Sequence, residues 1–306
     1  MLRSALLSAS RNATIEHLVR TQPLSRPIVR RFVAGETVSD ATATTLSLVT
    51  DGLFVSLDHL GEDTTEIAHA KSVAAAYLSL LAQLDDDGLT GRAEVSVKLS
   101  ALGRALDREL CLDNARQVVE AATRVGTTVT FDAEDHTTTD ATLELLAEVR
   151  RDFPQTGAVI QAYLKRSPGD VDDLIRSGAR VRLCKGAYKE PASVAHQRRH
   201  DVDVAYVRLL LRLMQSGAYP MIATHDPRLV AIADTLARRF EREPSTYEFQ
   251  MLYGVRPDEQ RRLAARGNRV RVYVPYGNEW YGYLMRRLAE RPANLGFFLR
   301  ALATKS

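Results

Sequence analysis

Residues 181–189 read Val-Arg-Leu-Cys-Lys-Gly-Ala-Tyr-Lys: a short apolar run carrying one arginine, then a basic loop with a glycine, followed downstream by a segment of helical periodicity. Strand, polar loop and helix in that order form the unit from which parallel α/β folds are assembled. The unit recurs. β-Branched or aromatic runs lie at Leu53–Leu57, Val95–Leu99, Thr128–Asp132, Val159–Ala162, Val181–Cys184, Met221–Thr224, Tyr247–Met251 and Val270–Val274. Between them, segments such as Thr64–Leu84 and Asn114–Arg124 repeat apolar residues every three to four positions, as a helix with one buried face requires. Asp63 followed by Glu66 reads as N-cap chemistry opening the first of these helices. Eight such units in roughly 250 residues is the arithmetic of an α/β fold of the closed (β/α)8, TIM-type barrel class, because an open doubly wound sheet of that length more often carries fewer strands or an added domain. The expected organisation is an N-terminal helical arm over residues 1–50, two or three helices broken at Pro23 and Pro27, and a barrel catalytic domain over residues 51–306.

Composition agrees with that class. The 306 residues are 45% hydrophobic and 26% charged with no long apolar run, which argues against a disordered chain and against a spanning helix. Net charge is +3, with acids interleaved among the bases, so no stripe for nucleic acid stands out. The densest basic patch, Gln197-Arg198-Arg199-His200, reads as a solvated helix face. His196 and His200 flank its arginines and lack an adjacent carboxylate, so no metal site is expected there. The two cysteines, Cys111 and Cys184, have no metal-type spacing and fit a reducing, cytoplasmic compartment. The opening residues MLRSALLSASRN lack acids until Glu16 and are read as a helical extension rather than a targeting segment.

A barrel builds its active site from the C-terminal ends of its strands. Here those ends carry Lys98, Asp132, Glu134, Gln161, Arg182, Lys185, Thr224, His225 and Tyr273. Singly each has an ordinary explanation: a snorkelling lysine, a capping aspartate, a satisfied loop histidine. Converging on one mouth, they argue for a polar site, since uncompensated buried charge costs several kcal/mol. Arg182 would set a fixed cation in that mouth, and Lys185 with the bare backbone of Gly186 suits an anionic group such as phosphate; the alternative is a buried ion pair beside a glycine turn. Near the C-terminus, Tyr283, Arg286 and Arg287 stand at i, i+3 and i+4 on one face of the final helix, which suits capture of a small carboxylate, although a solvated helix has similar letters. Residue chemistry alone leaves open a Schiff-base aldolase with Lys98 or Lys185 as amine nucleophile, and a non-catalytic barrel acting as a binding module.

The ordered segments VSVKLSAL, FDAED, IQAYLKR, RLCKGAY, IATHD, YEFQMLYGVR, VRVYVPYG and YGYLMRRLAE resemble those of the proline dehydrogenase family over nearly the whole chain. The resemblance implies an FAD-dependent barrel enzyme that oxidises L-proline to Δ1-pyrroline-5-carboxylate by hydride transfer, the first step of proline catabolism to glutamate. It implies catalytic roles for Asp132 and Arg182, with Arg182 against the flavin near its hydride-accepting nitrogen. Ala133, Gln161, Lys185, Gly186, Ala187, Thr224 and His225 would line the cofactor. Lys98, Arg286 and Arg287 would hold the substrate carboxylate, Tyr273 and Tyr283 would wall its ring, and Glu290 would orient Arg286. The resemblance further implies a monofunctional form, a membrane quinone as electron acceptor, peripheral association with the inner face of a membrane, and a separate pyrroline-5-carboxylate dehydrogenase downstream. Three positions depart from the family pattern: Cys184 stands where valine is common, Lys189 where the long bifunctional relatives have tryptophan, and Ala133 replaces a methionine of some short members.

Overall fold

In the computed structural model, which describes residues 26–61 and 64–290, the strand–helix units close on themselves. Two helices come first, α1 (Arg26–Phe32) and α2 (Val38–Thr50). There follow β1 (Phe54–His59), α3 (Ile67–Asp86), β2 (Ala93–Val97), α4 (Arg108–Arg124), β3 (Val129–Phe131), α5 (Thr139–Arg150), β4 (Gly157–Gln161), α6 (Ser167–Arg176) and β5 (Arg180–Cys184). The second half runs α7 (Arg199–Gln215), β6 (Tyr219–Ala223), α8 (Pro227–Arg239), β7 (Glu248–Leu252), α9 (Pro257–Ala265), β8 (Val270–Tyr276) and α10 (Trp280–Glu290). Each strand pairs in parallel with the next, and β1 pairs in parallel with β8, so the sheet has no edge.

Local chemistry explains most boundaries. α4 begins at Arg108, earlier than apolar periodicity alone suggests, because Asp107 accepts the Leu110 N–H at 2.7 Å and caps it. α3 starts at Ile67 with Glu66 at its N-cap but with no side-chain cap bond; Asp63, expected to contribute there, lies outside the described residues. Pro27 occupies the first turn of α1, where its missing N–H costs nothing, and Pro23 lies outside the described residues. Several strands are displaced by one or two residues from the expected runs, which leaves Lys98, Asp132 and Thr224 just beyond their strand ends.

The helices bury one face each against the sheet. On α3, Val73, Ala74, Tyr77, Leu80, Leu81 and Leu84 form the stripe, and the buried Tyr77 hydroxyl donates to the Ser96 carbonyl at 2.7 Å and accepts from the His59 N–H at 3.1 Å, tying α3 to β1 and β2. A second apolar cluster joins Phe32 and Val33 of the arm to Trp280, Tyr281, Leu284, Met285 and Leu288 of α10. Backbone bonds support that contact, from Ala34 N–H to the Pro275 carbonyl and from Gly277 N–H to the Gly35 carbonyl, both at 2.9 Å. Gly254 is required for it, since with φ at +71° a Cβ there would sit 1.7 Å from the Arg31 carbonyl oxygen. α10 is thereby held over the C-terminal mouth of the barrel. Among the described residues no helix is long and apolar enough to cross a membrane.

Candidate active site

Polar side chains run through the barrel interior from floor to mouth, beside apolar ones such as Val159 and Ala223. Strand alternation sends every second side chain inward, and on β2 those positions are Glu94 and Ser96 with Lys98 just beyond, on β5 Arg180 and Arg182, on β7 Glu248 and Gln250, and on β8 Arg271 and Tyr273. At the floor, Arg180 Nη2 lies 2.6 Å from Glu94 Oε2, and Arg271 Nε lies 2.7 Å from Glu248 Oε1 and 3.7 Å from Glu94 Oε1. Burial alone would raise the Glu94 carboxyl, but Arg180, Arg271 and Arg182 together hold it down at about 2.

Arg182, only 4% exposed, forms the next layer. Its Nε donates to Gln250 Oε1 at 2.5 Å, Nη1 to Ser96 Oγ and Asp132 Oδ1 at 2.7 Å each, and Nη2 to Ser56 Oγ at 3.2 Å while facing Glu94 Oε1 at 3.5 Å. The orientation of Gln250 is set in turn by its own N–H, which donates to Glu248 Oε1 at 2.6 Å. Three strands and the residue just past a fourth therefore fix one guanidinium. Above it, Asp132 Oδ2 accepts the Tyr273 hydroxyl at 2.7 Å, and Lys98 Nζ lies 2.7 Å from Asp58 Oδ2 and 3.9 Å from Asp132 Oδ2. The four cations Lys98, Arg180, Arg182 and Arg271 thus face the four carboxylates Asp58, Glu94, Asp132 and Glu248, a balance that makes so much buried charge tolerable. Asp132 is not a helix cap; Asp135 takes that part by accepting the Thr137 N–H at 2.8 Å.

Over this column opens a cavity of about 580 Å³. Fourteen of the residues singled out from the sequence border it: Lys98, Asp132, Ala133, Gln161, Arg182, Lys185, Gly186, Ala187, Thr224, His225 and Tyr273 from the barrel, with Tyr283, Arg286 and Arg287 from α10; Glu134 does not, its carboxylate instead accepting the Ser100 N–H at 3.1 Å. The side chain of Glu290 lies outside the described residues. On one wall Gly186 borders the cavity with φ at +115°, and a Cβ there would come within 2.4 Å of the Tyr163 ring packed behind it, so only glycine fits at this point of the wall. Beside it, Lys185 Nζ lies 2.5 Å from Asp203 Oδ1 and 3.2 Å from Asp226 Oδ2. Arg228 and Lys185 hold the Asp226 carboxyl well below the usual carboxylate range. Opposite, the Arg287 guanidinium lies 5.2 Å from the centre of the Tyr283 ring. His225 accepts the Leu252 N–H on Nε2 at 2.9 Å, so its ring proton sits on Nδ1. Cys184 also borders the cavity, its thiol raised by burial to about 11.

Asp58, Ser96 and Gln250 belong to the site and were not singled out from the sequence, nor were the floor residues Glu94, Arg180, Glu248 and Arg271. A signal for them existed: polar letters at every second position of runs otherwise fit for burial. Arg199, read as part of a solvated face, borders the cavity at its rim while remaining largely exposed. The aldolase alternative is not favoured, since each lysine is tied to carboxylates, Lys98 to Asp58 and Lys185 to Asp203 and Asp226, rather than left to attack a carbonyl. Among the described residues no group of three His, Cys, Asp or Glu side chains is arranged to hold a metal ion.

Comparison with known proteins agrees with this architecture. The family described as proline dehydrogenase matches residues 41–300. "Proline dehydrogenase 1" of Bacillus subtilis is 37% identical over 305 residues, covering 100% of both chains, and "Proline dehydrogenase" of Deinococcus radiodurans is 37% identical over 307 residues, covering 99% of this chain and 98% of the other. Among solved structures, proline utilization A from Bdellovibrio bacteriovorus superposes with a TM-score of 0.81 at 25% identity over 92% of this chain, which spans 34% of that longer one. The chain belongs to the proline dehydrogenase family, and its reaction is the oxidation of proline, the first step of proline catabolism.

Proposed function

We propose that the cavity holds FAD along the Arg182–Gly186 side and L-proline between that group and α10, and that the product is Δ1-pyrroline-5-carboxylate. The observation that carries this reading is the convergence of one immobilised buried guanidinium, Arg182, and the two arginines of α10 on a single cavity of about 580 Å³. The residues suit the cofactor: a bare glycine backbone and the Lys185 ammonium on one wall match an anionic dinucleotide, and Ala133, Gln161, Ala187, Thr224 and His225 complete its lining. FAD held there would supply the acceptor for the hydride that leaves the proline ring carbon beside the nitrogen.

The chain's own residues supply binding, orientation and electrostatics. Arg286 and Arg287, with Lys98, hold the substrate carboxylate, and Tyr273 and Tyr283 wall the ring, fixing distance and angle for the transfer. Arg182, held rigid by Asp132, Ser96 and Gln250, presents positive charge toward the electron-accepting side with no reorganisation at the moment of reaction. α10 roofs the mouth and excludes water. We further propose residues 1–50 as a helical arm and 51–306 as the catalytic domain, a cytoplasmic protein that meets the membrane only peripherally, a membrane quinone as the electron acceptor, and a separate pyrroline-5-carboxylate dehydrogenase as the consumer of the product. The absorption spectrum of the purified protein tests the central reading: a flavin spectrum that bleaches on anaerobic addition of L-proline is expected. A colourless protein, or a flavin spectrum indifferent to proline, would refute it.

A further inference from the structure

Proline at neutral pH carries a secondary ammonium, whose nitrogen has no lone pair to drive a hydride off the neighbouring carbon. A proton must leave that nitrogen, and the cavity must offer an acceptor. Most titratable groups there are already committed. Asp132 accepts three donors, Ser96 and Arg182 on Oδ1 and Tyr273 on Oδ2. Asp226 is held by Arg228 and Lys185, His225 spends its Nε2 lone pair on the Leu252 N–H, and the phenols and ammonium groups carry their own protons.

Asp58 differs. It is 1% exposed and borders the cavity, and its anion is stabilised by a single donor, Lys98 Nζ at 2.7 Å on Oδ2. Its Oδ1 is buried without a hydrogen-bond partner; the nearby Tyr273 hydroxyl has one proton and gives it to Asp132. We propose that Asp58 is the terminal acceptor of the proton that the proline nitrogen gives up, delivered through Lys98. Lys98 passes one N–H proton to Asp58 along their hydrogen bond and takes one from the substrate ammonium. An O–H bond forms at Asp58, an N–H bond breaks on the substrate, and Lys98 ends as it began. The substrate is left as a neutral amine with a lone pair adjacent to the reacting carbon.

The surroundings of Asp58 favour proton uptake. It is faced by Lys98 after β2, Asp132 after β3, Tyr273 and Tyr276 of β8 and Tyr77 of α3. Burial raises its proton affinity and the Asp132 charge adds to that, outweighing the opposing pull of Lys98 and of the Tyr273 hydroxyl. In a dry site, a carboxylate with a single donor takes a proton more readily than one whose lone pairs are shared among several donors.

The assignment rests on proline occupying the cavity, and the test separates the two. Asp58→Asn keeps an acceptor for Lys98 but cannot bind the proton. Anaerobic rapid mixing of the holoenzyme with saturating L-proline is expected to show bleaching slowed by about 10²-fold at neutral pH, the scale of a lost general base, and recovering by about tenfold per pH unit as neutral proline becomes available. Affinity for tetrahydrofuran-2-carboxylate, which has ring oxygen in place of the N–H group, should stay within about twofold. Bleaching at the wild-type rate and pH profile would overturn the proposal, as would a loss of rate matched by an equal loss of affinity for the oxygen analogue, which would make Asp58 only a seat for Lys98. A wild-type enzyme that neither binds the analogue nor bleaches would instead defeat the cavity assignment. Asp58→Glu covers the case in which the amide variant does not fold: the acid limb of its rate profile should move along the pH axis with the new carboxyl, and a limb that stays in place would also overturn the proposal.

Discussion

Replacing Glu94 by glutamine tests whether the charged column beneath the cavity is built as a unit. Glu94 is 1% exposed and lies 2.6 Å from Arg180, 3.5 Å from Arg182 and 3.7 Å from Arg271. The amide preserves shape but removes the charge, and it turns an N–H donor toward guanidinium groups that are themselves donors. Stripping one partner from a buried ion network costs about 3–5 kcal/mol. A second route gives a similar size: the carboxyl is held from its ordinary 4.5 down at about 2, which corresponds to about 3 kcal/mol at roughly 1.4 kcal/mol per unit. With unfolding entropy near 2.1 cal/mol/K per residue, that loss lowers Tm by about 5–8 °C for a chain of this length. The pH dependence adds a second check. Because the folded-state value lies below the unfolded one, the contribution is fully present above about pH 5 and disappears as pH falls toward 2. The variant should therefore lack that portion of the wild-type acid limb. Thermal unfolding followed by circular dichroism between pH 3 and pH 7 measures both; a Tm within about 1 °C of wild type at pH 7, or an unchanged acid limb, would refute the reasoning.

Arg286→Ala or Arg287→Ala should raise KM for proline by about 10- to 150-fold, the worth of a charge-assisted hydrogen bond of about 1.5–3 kcal/mol, while flavin stays bound; steady-state kinetics showing unchanged KM in both variants would remove the carboxylate clamp. Arg182→Ala should slow flavin bleaching by about 10²-fold, more than it weakens proline binding, and stopped-flow reduction at the wild-type rate would contradict its placement at the reacting centre. Gly186→Ala sets a methyl carbon within 2.4 Å of the Tyr163 ring at a φ of +115°, so the cavity wall must shift at a strain of about 1–3 kcal/mol. Its flavin content, read from the ratio of visible to ultraviolet absorbance, should fall; full occupancy would show that this backbone does not meet the cofactor.

Several features of the protein follow from local letters alone. Short buried strands alternating with amphipathic helices, repeated eight times in about 250 residues, favour a closed barrel, since an open doubly wound sheet of that length more often carries fewer strands or an added domain. The same periodicity indicated that Arg182 points inward, and helical spacing put Tyr283, Arg286 and Arg287 on one face. These are properties of a single segment. What no segment could state is which inward side chains meet. Asp132 read equally well as a helix cap until barrel closure set its Oδ1 2.7 Å from Arg182, 50 positions away in sequence. Asp58 is one letter in an apolar strand until Lys98, 40 positions on, closes against it. α10 is an ordinary basic helix until Phe32 and Val33 of the arm hold it across the mouth. Alternation along a strand decides which face a residue takes, but only the register between strands, set once the sheet closes, decides its neighbours. For charges buried this deeply, neighbours are what distinguish a site from a penalty.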